Sequence, residues 1–311
     1  MTDEQSSPVV VVTGANGFVG ARTCAALAER GATVRAVVRR AGAAPAIDAV
    51  EERVGDFGDP DFAAEVVTGA SAVITTVHPM GTSRENQHRV GVEATPVIAR
   101  AARDAGVGRL VHMSTAAVYD RSPGVGDVDE SAALVGDDAG DYPVTKRDTD
   151  AALAEVDGIT RVLVRPPAIL GPGESSIWNT LRPNDIAKNE SARRTVPDKS
   201  FAWVHVDDLA DLLADLATGR IAAAGDPERG PTDGGCTAVN AAGGPATQRD
   251  YFGTVTEALG VEPAWQDGPA WTGQIVADRA RRWGWTQRVT LGQALDELRR
   301  GLEASPPGPT T

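Results

Sequence analysis

Tyr142 and Lys146 stand four residues apart in the run Tyr142-Pro143-Val144-Thr145-Lys146, which puts both on one helix face, one turn apart. Pro143 can sit at the helix start without losing a needed N–H bond. A lysine so placed lowers the phenol's effective pKa and can hold a ribose hydroxyl. The tyrosine can then exchange a proton with a substrate oxygen. The spacing alone is common by chance, and it gains weight from Ser114 and Thr115. These end the hydrophobic run Arg-Leu-Val-His-Met at 109–113, at the carboxyl edge of a parallel sheet, where ligands sit. A hydroxyl there can polarise a carbonyl beside the tyrosine. By itself the Ser-Thr pair is equally an N-cap or a turn.

A nucleotide site is written at the start of the chain, where Val9 to Gly20 reads VVVVTGANGFVG. The valines predict a buried strand, and Gly14, Gly17 and Gly20 allow a tight turn with close backbone approach to a ligand. Ala21 to Arg30 reads as a helix ending before Gly31. Strand, turn and helix N-terminus together offer unpaired N–H groups and a positive dipole end to a pyrophosphate. With a second strand at Thr33 to Val38, dinucleotide binding is expected, the cofactor contacts being Gly14, Asn16, Gly17, Phe18, Val19 and Gly20. Where such folds commonly place an acid on the adenosine ribose, this chain has Arg39-Arg40. The pair offers fork-shaped donors to a ribose phosphate, so NADP(H) is the expected cofactor and NAD(H) the lesser choice. Otherwise it is a solvated basic turn. Asp56 can accept from the adenine amino group with Phe57 beside the ring, or simply cap a turn.

The 311 residues are 41% hydrophobic and 23% charged, enough for one large core or a main domain with a smaller companion. A net charge of -13 argues against a nucleic-acid or anionic-membrane partner. It leaves anionic small ligands open, since a local arginine can dominate a cleft. No run reaches membrane-span length, and Met1 to Ser7 lacks the features of a secretion signal. Cys24 and Cys236 are far apart and read as two buried thiols, so a cytoplasmic location is expected. The histidines include no close pair, and no metal site is expected.

Further strands at Ala72 to Val77, Arg109 to Ser114 and Thr160 to Arg165 alternate with helices at 61–68, 92–105 and 145–155. This alternation predicts an α/β fold, a Rossmann-type doubly wound parallel sheet with helices on both faces. Residues 8–170 read as mainly the dinucleotide-binding domain. Residues 171–302 read as a smaller C-terminal substrate-binding lobe, with segments near 201–220 and 236–243 returning to the core. Residues 303–311 read as a disordered tail.

Six segments in order carry a family resemblance: TGANGFVG at 13–20, GDFGD at 55–59, STAAVYD at 114–120, YPVTK at 142–146, RPPAILGPG at 165–173 and HVDDLA at 205–210. Together they resemble the extended short-chain dehydrogenase/reductases, the NAD-dependent epimerase/dehydratase-like proteins. The resemblance implies that Thr115 helps hold the reacting oxygen, Tyr142 is the general acid/base and Lys146 binds the nicotinamide ribose. Thr76, at the altered end of the fourth strand, and Pro166, within RPPAILGPG, join the expected cofactor contacts. Three departures stand out. The usual His-Leu-Ala end of the fourth strand is Thr75-Thr76-Val77, followed by His78. Val90-Gly91 replaces Val-Asn, removing an amide that supports the active site. Asp120 replaces a glycine.

Ala116 and Ala117 stand where the 4,6-dehydratases carry Asp-Glu, so that branch matches poorly. Val34 to Arg40 is similar to the NADPH-using dihydroflavonol and aldehyde reductases. The resemblance therefore implies a ketoreductase acting on a small-molecule carbonyl with tyrosine as proton donor. A nucleotide-sugar epimerase and a non-catalytic NADP(H)-binding sensor are the alternatives, though sensors commonly lack the Tyr-Lys pair. Ile177, Trp178, Phe201 and Trp203 would suit an aromatic or polycyclic substrate, whereas Arg182, Arg193 and Arg194 would meet a nucleotide diphosphate. A homodimer is a further expectation.

Overall fold

The structure, a computed structural model, describes residues 7–305. Its strands are β1 (Val9–Thr13), β2 (Thr33–Val38), β3 (Val50–Val54), β4 (Ala72–Thr75), β5 (Arg109–Met113), β6 (Thr160–Arg165), β7 (Ala168–Leu170), β8 (Arg194–Thr195), β9 (Trp203–His205), β10 (Cys236–Asn240) and β11 (Ala264–Trp265). Its helices are α1 (Phe18–Glu29), α2 (Pro60–Val67), α3 (Arg84–His88), α4 (Thr95–Asp104), α5 (Asp141–Ala154), α6 (Arg182–Lys188), α7 (Val206–Ala217), α8 (Gln248–Leu259), α9 (Asp278–Arg282) and α10 (Leu291–Ala304). Seven strands form one sheet in the order β10-β6-β5-β4-β1-β2-β3, every pairing parallel. The order reverses between β1 and β4, which opens a crevice at the carboxyl ends of the strands.

The two faces follow from the strand period of two. Val10 and Val12 pack with Leu27 of α1 and with Leu209 and Leu213 of α7. Val11 points the other way, to Ala63 of α2, Ile98 of α4 and Leu153 of α5. This is the expected doubly wound sheet. Gly31, at φ +76°, ends the first helix where a side chain would be strained.

The smaller lobe has its own core of Phe201, Trp203, Tyr251, Phe252 and Leu298. Phe201 stacks on Tyr251 at 4.6 Å between centroids, and Trp178 meets both rings edge-on. Thr247 with Asp250, and Thr290 with Gln293, close capping boxes on α8 and α10. The buried Leu298 and Leu302 carry α10 through Ala304, two residues into the stretch expected to be a tail; residues 306–311 lie outside the described residues. Two boundaries differ from the sequence reading. β4 stops at Thr75, because Thr76 turns its hydroxyl back onto Thr13 O at 2.7 Å. The helix expected from Val92 is preceded by a π-helical turn at Arg89–Ala94 that packs on α5.

Candidate active site

At the glycine turn, Gly14 adopts φ +69°, and a Cβ there would come within 2.8 Å of Thr76 Oγ1. A Cβ on Gly20 would collide with the carbonyl oxygen of Gly14. Bare backbone is therefore required at both positions for α1 to start directly against β1. Gly17 is the N-cap of α1 and supplies no side-chain acceptor, so the first N–H groups of the helix face outward from the turn.

A cleft of about 860 Å³ opens above this turn, between the sheet and the lobe. Gly14, Asn16 to Gly20, Arg39, Arg40, Phe57, Thr76 and Pro166 line one part; Ser114, Thr115, Tyr142 and Lys146 line the part beside it. Asp56 is not in the wall: its carboxylate accepts from Gly58 N at 2.9 Å, the turn-capping alternative. Trp203 is likewise buried in the lobe, where its indole N–H donates to Gly244 O at 3.0 Å. Arg182 is held by Asp185 at 2.9 Å and Arg193 by Ile186 O at 3.0 Å, and with Arg194 they lie outside the cleft wall.

Lys146 rises from α5 into the floor, almost wholly buried. Its ammonium donates to Met113 O at 2.6 Å and lies 3.1 Å from His112 Nε2. Burial pushes its pKa down to about 8, against the pull of Asp150. Burial also holds His112 well below the usual histidine range. Tyr142 is half-buried; desolvation raises its phenol, while the Thr115 hydroxyl and Arg121 act the other way. Thr115 Oγ1 also accepts from Ala117 N at 3.1 Å, so the residue caps a turn as well as facing the phenol. Beneath them the buried Asp150 meets Arg165 at 3.0 Å, and Arg165 donates to Tyr119 Oη at 3.0 Å.

Gly91 is required by packing. A Cβ on Gly91 would strike the Thr149 hydroxyl, so packing of the π-helical turn on α5 demands glycine. Nearby, the Oε1 of Gln87 of α3 accepts from Thr145 Oγ1 at 3.1 Å and lies 3.0 Å from His78 Nε2. The His78 ring then meets Tyr142 edge-on at 5.1 Å. Sequence reading missed His112, Gln87 and His78 as site residues. The signal was present for His78 alone, in its position just past β4.

The site fits a dinucleotide on observations of its own. Two glycines in the turn admit no Cβ, and the buried Ser114 hydroxyl in the wall has no hydrogen-bond partner among the described residues. Among the described residues no group of three His, Cys, Asp or Glu side chains is placed to hold a metal, and no helix is long and apolar enough to cross a membrane.

Comparison with known proteins gives one family match: the model of the NAD dependent epimerase/dehydratase family covers residues 10–224. The chain is similar to a 4-hydroxy-2-methyl-3-oxo-4-farnesyl-3,4-dihydroquinoline-1-oxide ketoreductase of Stigmatella aurantiaca, 30% identical over 261 residues, 81% of this chain and 73% of that one. It spans about half the length of other curated relatives, such as sterol demethylase protein B of Methylococcus capsulatus, 32% identical and 52% of each chain. Among solved structures, WbmH of Bordetella bronchiseptica in complex with NAD+ has a TM-score of 0.75 at 19% identity, covering 97% of this chain and 100% of that one. The UDP-glucose 4-epimerase of Bifidobacterium longum with NAD+ and UDP has a TM-score of 0.73 at 17% identity, covering 96% and 99%.

These complexes correct the expected cofactor. Five solved structures that share this fold, at 16–21% identity, hold NAD, which argues against NADP(H) as the preferred cofactor. Arg39 and Arg40 show why the sequence misled: both are exposed at the cleft mouth, the solvated basic turn that was the other reading of the pair.

Proposed function

The chain belongs to the NAD-dependent epimerase/dehydratase family of NAD(P)-dependent oxidoreductases and epimerases, and from that premise we propose that it interconverts a ketone and a secondary alcohol on an apolar small molecule, with NAD(H). One observation carries this reading. Beyond Tyr142 the cleft wall includes Met80, Ile169, Ile177, Trp178, Phe201 and Trp271 beside Arg121, Lys199 and Gln248, an apolar majority that favours a largely apolar substrate over a sugar. The Stigmatella ketoreductase supports the same direction.

Gly14 and Gly17 to Gly20 would hold the dinucleotide's pyrophosphate, and Lys146 its nicotinamide ribose. When bound, the nicotinamide supplies or takes the hydride at the reacting carbon. Tyr142, kept protonated by its desolvated setting, donates its proton to the substrate oxygen as negative charge develops there. Thr115 donates to the same oxygen. Lys146 is an ammonium at neutral pH, and its charge in the floor stabilises the phenolate left behind. The neutral His112 and Met113 O aim that charge.

A second reading is nucleotide-sugar epimerisation, and the solved structures taken alone back it better than they back reduction. Incubation of the pure protein separates the two. Loss of NADH absorbance in step with a ketone supports reduction; interconversion of UDP-sugars with no net change in cofactor replaces it with the epimerase.

A further inference from the structure

The chain has 43 acidic and 30 basic residues, yet among the described residues no Asp or Glu lines the cleft. Its charged wall residues are Arg39, Arg40, Lys146, Arg121 and Lys199. The first two sit at the nucleotide end, and the Lys146 ammonium is taken up by His112 and Met113. Arg121 differs from all of these. It is half-buried, lies on the substrate side beside Tyr142, and makes no hydrogen bond or ion pair among the described residues. By contrast Arg165 is met by Asp150, Arg161 by the Ala154 and Gly234 carbonyls, and Arg30 by Asp211 and Asp215.

The position of Arg121 is built from both sides. Its guanidinium lies 5.6 Å from the centroid of Trp271, whose indole N–H donates to Gly126 O at 2.9 Å. Behind it, Asp120 Oδ1 accepts from Ser122 N at 2.9 Å and fixes the turn. A half-buried guanidinium with no acceptor among the described residues keeps its paired N–H donors free for an anion brought by a ligand.

We propose that Arg121 is an anion-binding residue of the substrate subsite, and that the substrate is an amphipathic acid whose carboxylate lies close to the reacting carbon. This rests on the reading that Tyr142 faces the reacting oxygen. One planar guanidinium matches one carboxylate through paired N–H donors. A nucleotide diphosphate carries more charge than this wall answers, because the remaining substrate-side cation, Lys199, is exposed. The apolar tail would lie on Ile177, Trp178 and Phe201. In the reduction, hydride from NADH joins the carbonyl carbon, the C=O π pair goes to oxygen, and the Tyr142 proton completes the alcohol. NAD+ is released and the carboxylate is unchanged.

Calorimetric titration of the full-length protein with octanoate, 1-octanol and UDP tests the site without turnover. Octanoate should bind about 10- to 100-fold more tightly than octanol. Arg121→Gln should erase that difference and Arg121→Lys restore part of it. In NADH assays, the kcat/KM ratio of freshly prepared 3-oxooctanoate to its methyl ester should fall by a similar factor in Arg121→Gln. Equal binding of octanoate and octanol to the unmodified protein overturns the proposal, and so does a preference that survives Arg121→Gln. Arg121-dependent binding of UDP in place of octanoate overturns it too. If octanoate binds through Arg121 while neither acid nor ester is reduced, the anion site stands and the ketoreductase reading fails.

Discussion

His112 Nε2 lies 3.1 Å from Lys146 Nζ, and on the other edge of the ring His112 Nδ1 lies 2.8 Å from Thr75 Oγ1. His112 and Thr75 face each other in the β4–β5 register. Because burial holds the imidazole neutral, it accepts from the lysine at Nε2, and the proton on Nδ1 goes to Thr75. His112→Leu leaves the ammonium with Met113 O alone. Turnover should fall about 10-fold and the alkaline limb of the pH–rate profile should move to lower pH. His112→Gln keeps an acceptor and should recover most of both. An unshifted alkaline limb in His112→Leu would show that the contact does not tune the lysine.

Tyr142→Phe removes the transferable proton and little else. Steady-state turnover should drop by roughly 10²-fold or more, with NADH affinity by fluorescence titration nearly unchanged. Near-normal turnover would transfer the proton role to another group.

How much of this was legible in the sequence depends on the range of each interaction. The valines of β1 and the glycine turn are governed by neighbours a few residues away, and the Tyr142–Lys146 pair by one helical turn. His112 read only as an apolar-strand residue, because its partners come from β4 and α5 and the contact needs their register. Gln87 was not legible because its partners, His78 and Thr145, come from the loop after β4 and from α5. The freedom of Arg121 depends on Trp271 across the cleft and on there being no facing acid among the described residues. The arginine pair at 39–40 was legible and over-read: two exposed guanidiniums do not by themselves build a phosphate site.

The acid side of the stability curve follows from two histidines. Burial and Lys146 push the His78 pKa down from 6.5 to about 4, and His112 is displaced in the same direction. Between those values the unfolded chain takes up protons that the folded chain refuses. Stability from this source is therefore full above pH 6.5 and is lost as the pH falls toward 4. Melting temperatures at several pH values should show this loss, and a His78→Gln/His112→Gln variant should lose less across the same window. Parallel curves for the two proteins would remove the histidines from the account.

Gly20→Ala should do double damage. The added methyl strikes the Gly14 carbonyl, so either α1 shifts or the turn opens. NADH affinity should fall at least about 10-fold, with a loss of roughly 1–3 kcal/mol in stability. Titration and denaturant unfolding read the two effects separately.

Cofactor choice is settled by paired titrations with NADH and NADPH. NADH should bind at least as tightly, and Arg39→Ala should leave its affinity within about twofold, as befits an exposed side chain. A large loss of NADPH binding alone in that variant, from a tighter starting value, would restore a role for the arginine pair.

The path of the chain between core and lobe bears on how such a protein diversifies. After β6 the chain enters the lobe, comes back as β9 and α7, and returns again as β10 at the sheet edge. Along the way Arg30 at the end of α1 is bound to Asp211 and Asp215 of α7 at 2.9 and 2.8 Å. A recombinant gene joined anywhere between 171 and 205 would take α1 from one parent and α7 from the other. It would need both parents to agree on that bridge and on the Leu27, Leu209 and Leu213 packing. The lobe is therefore not a cassette, and new specificities in this lineage are expected to arise by point changes in the cleft wall more readily than by exchange of segments.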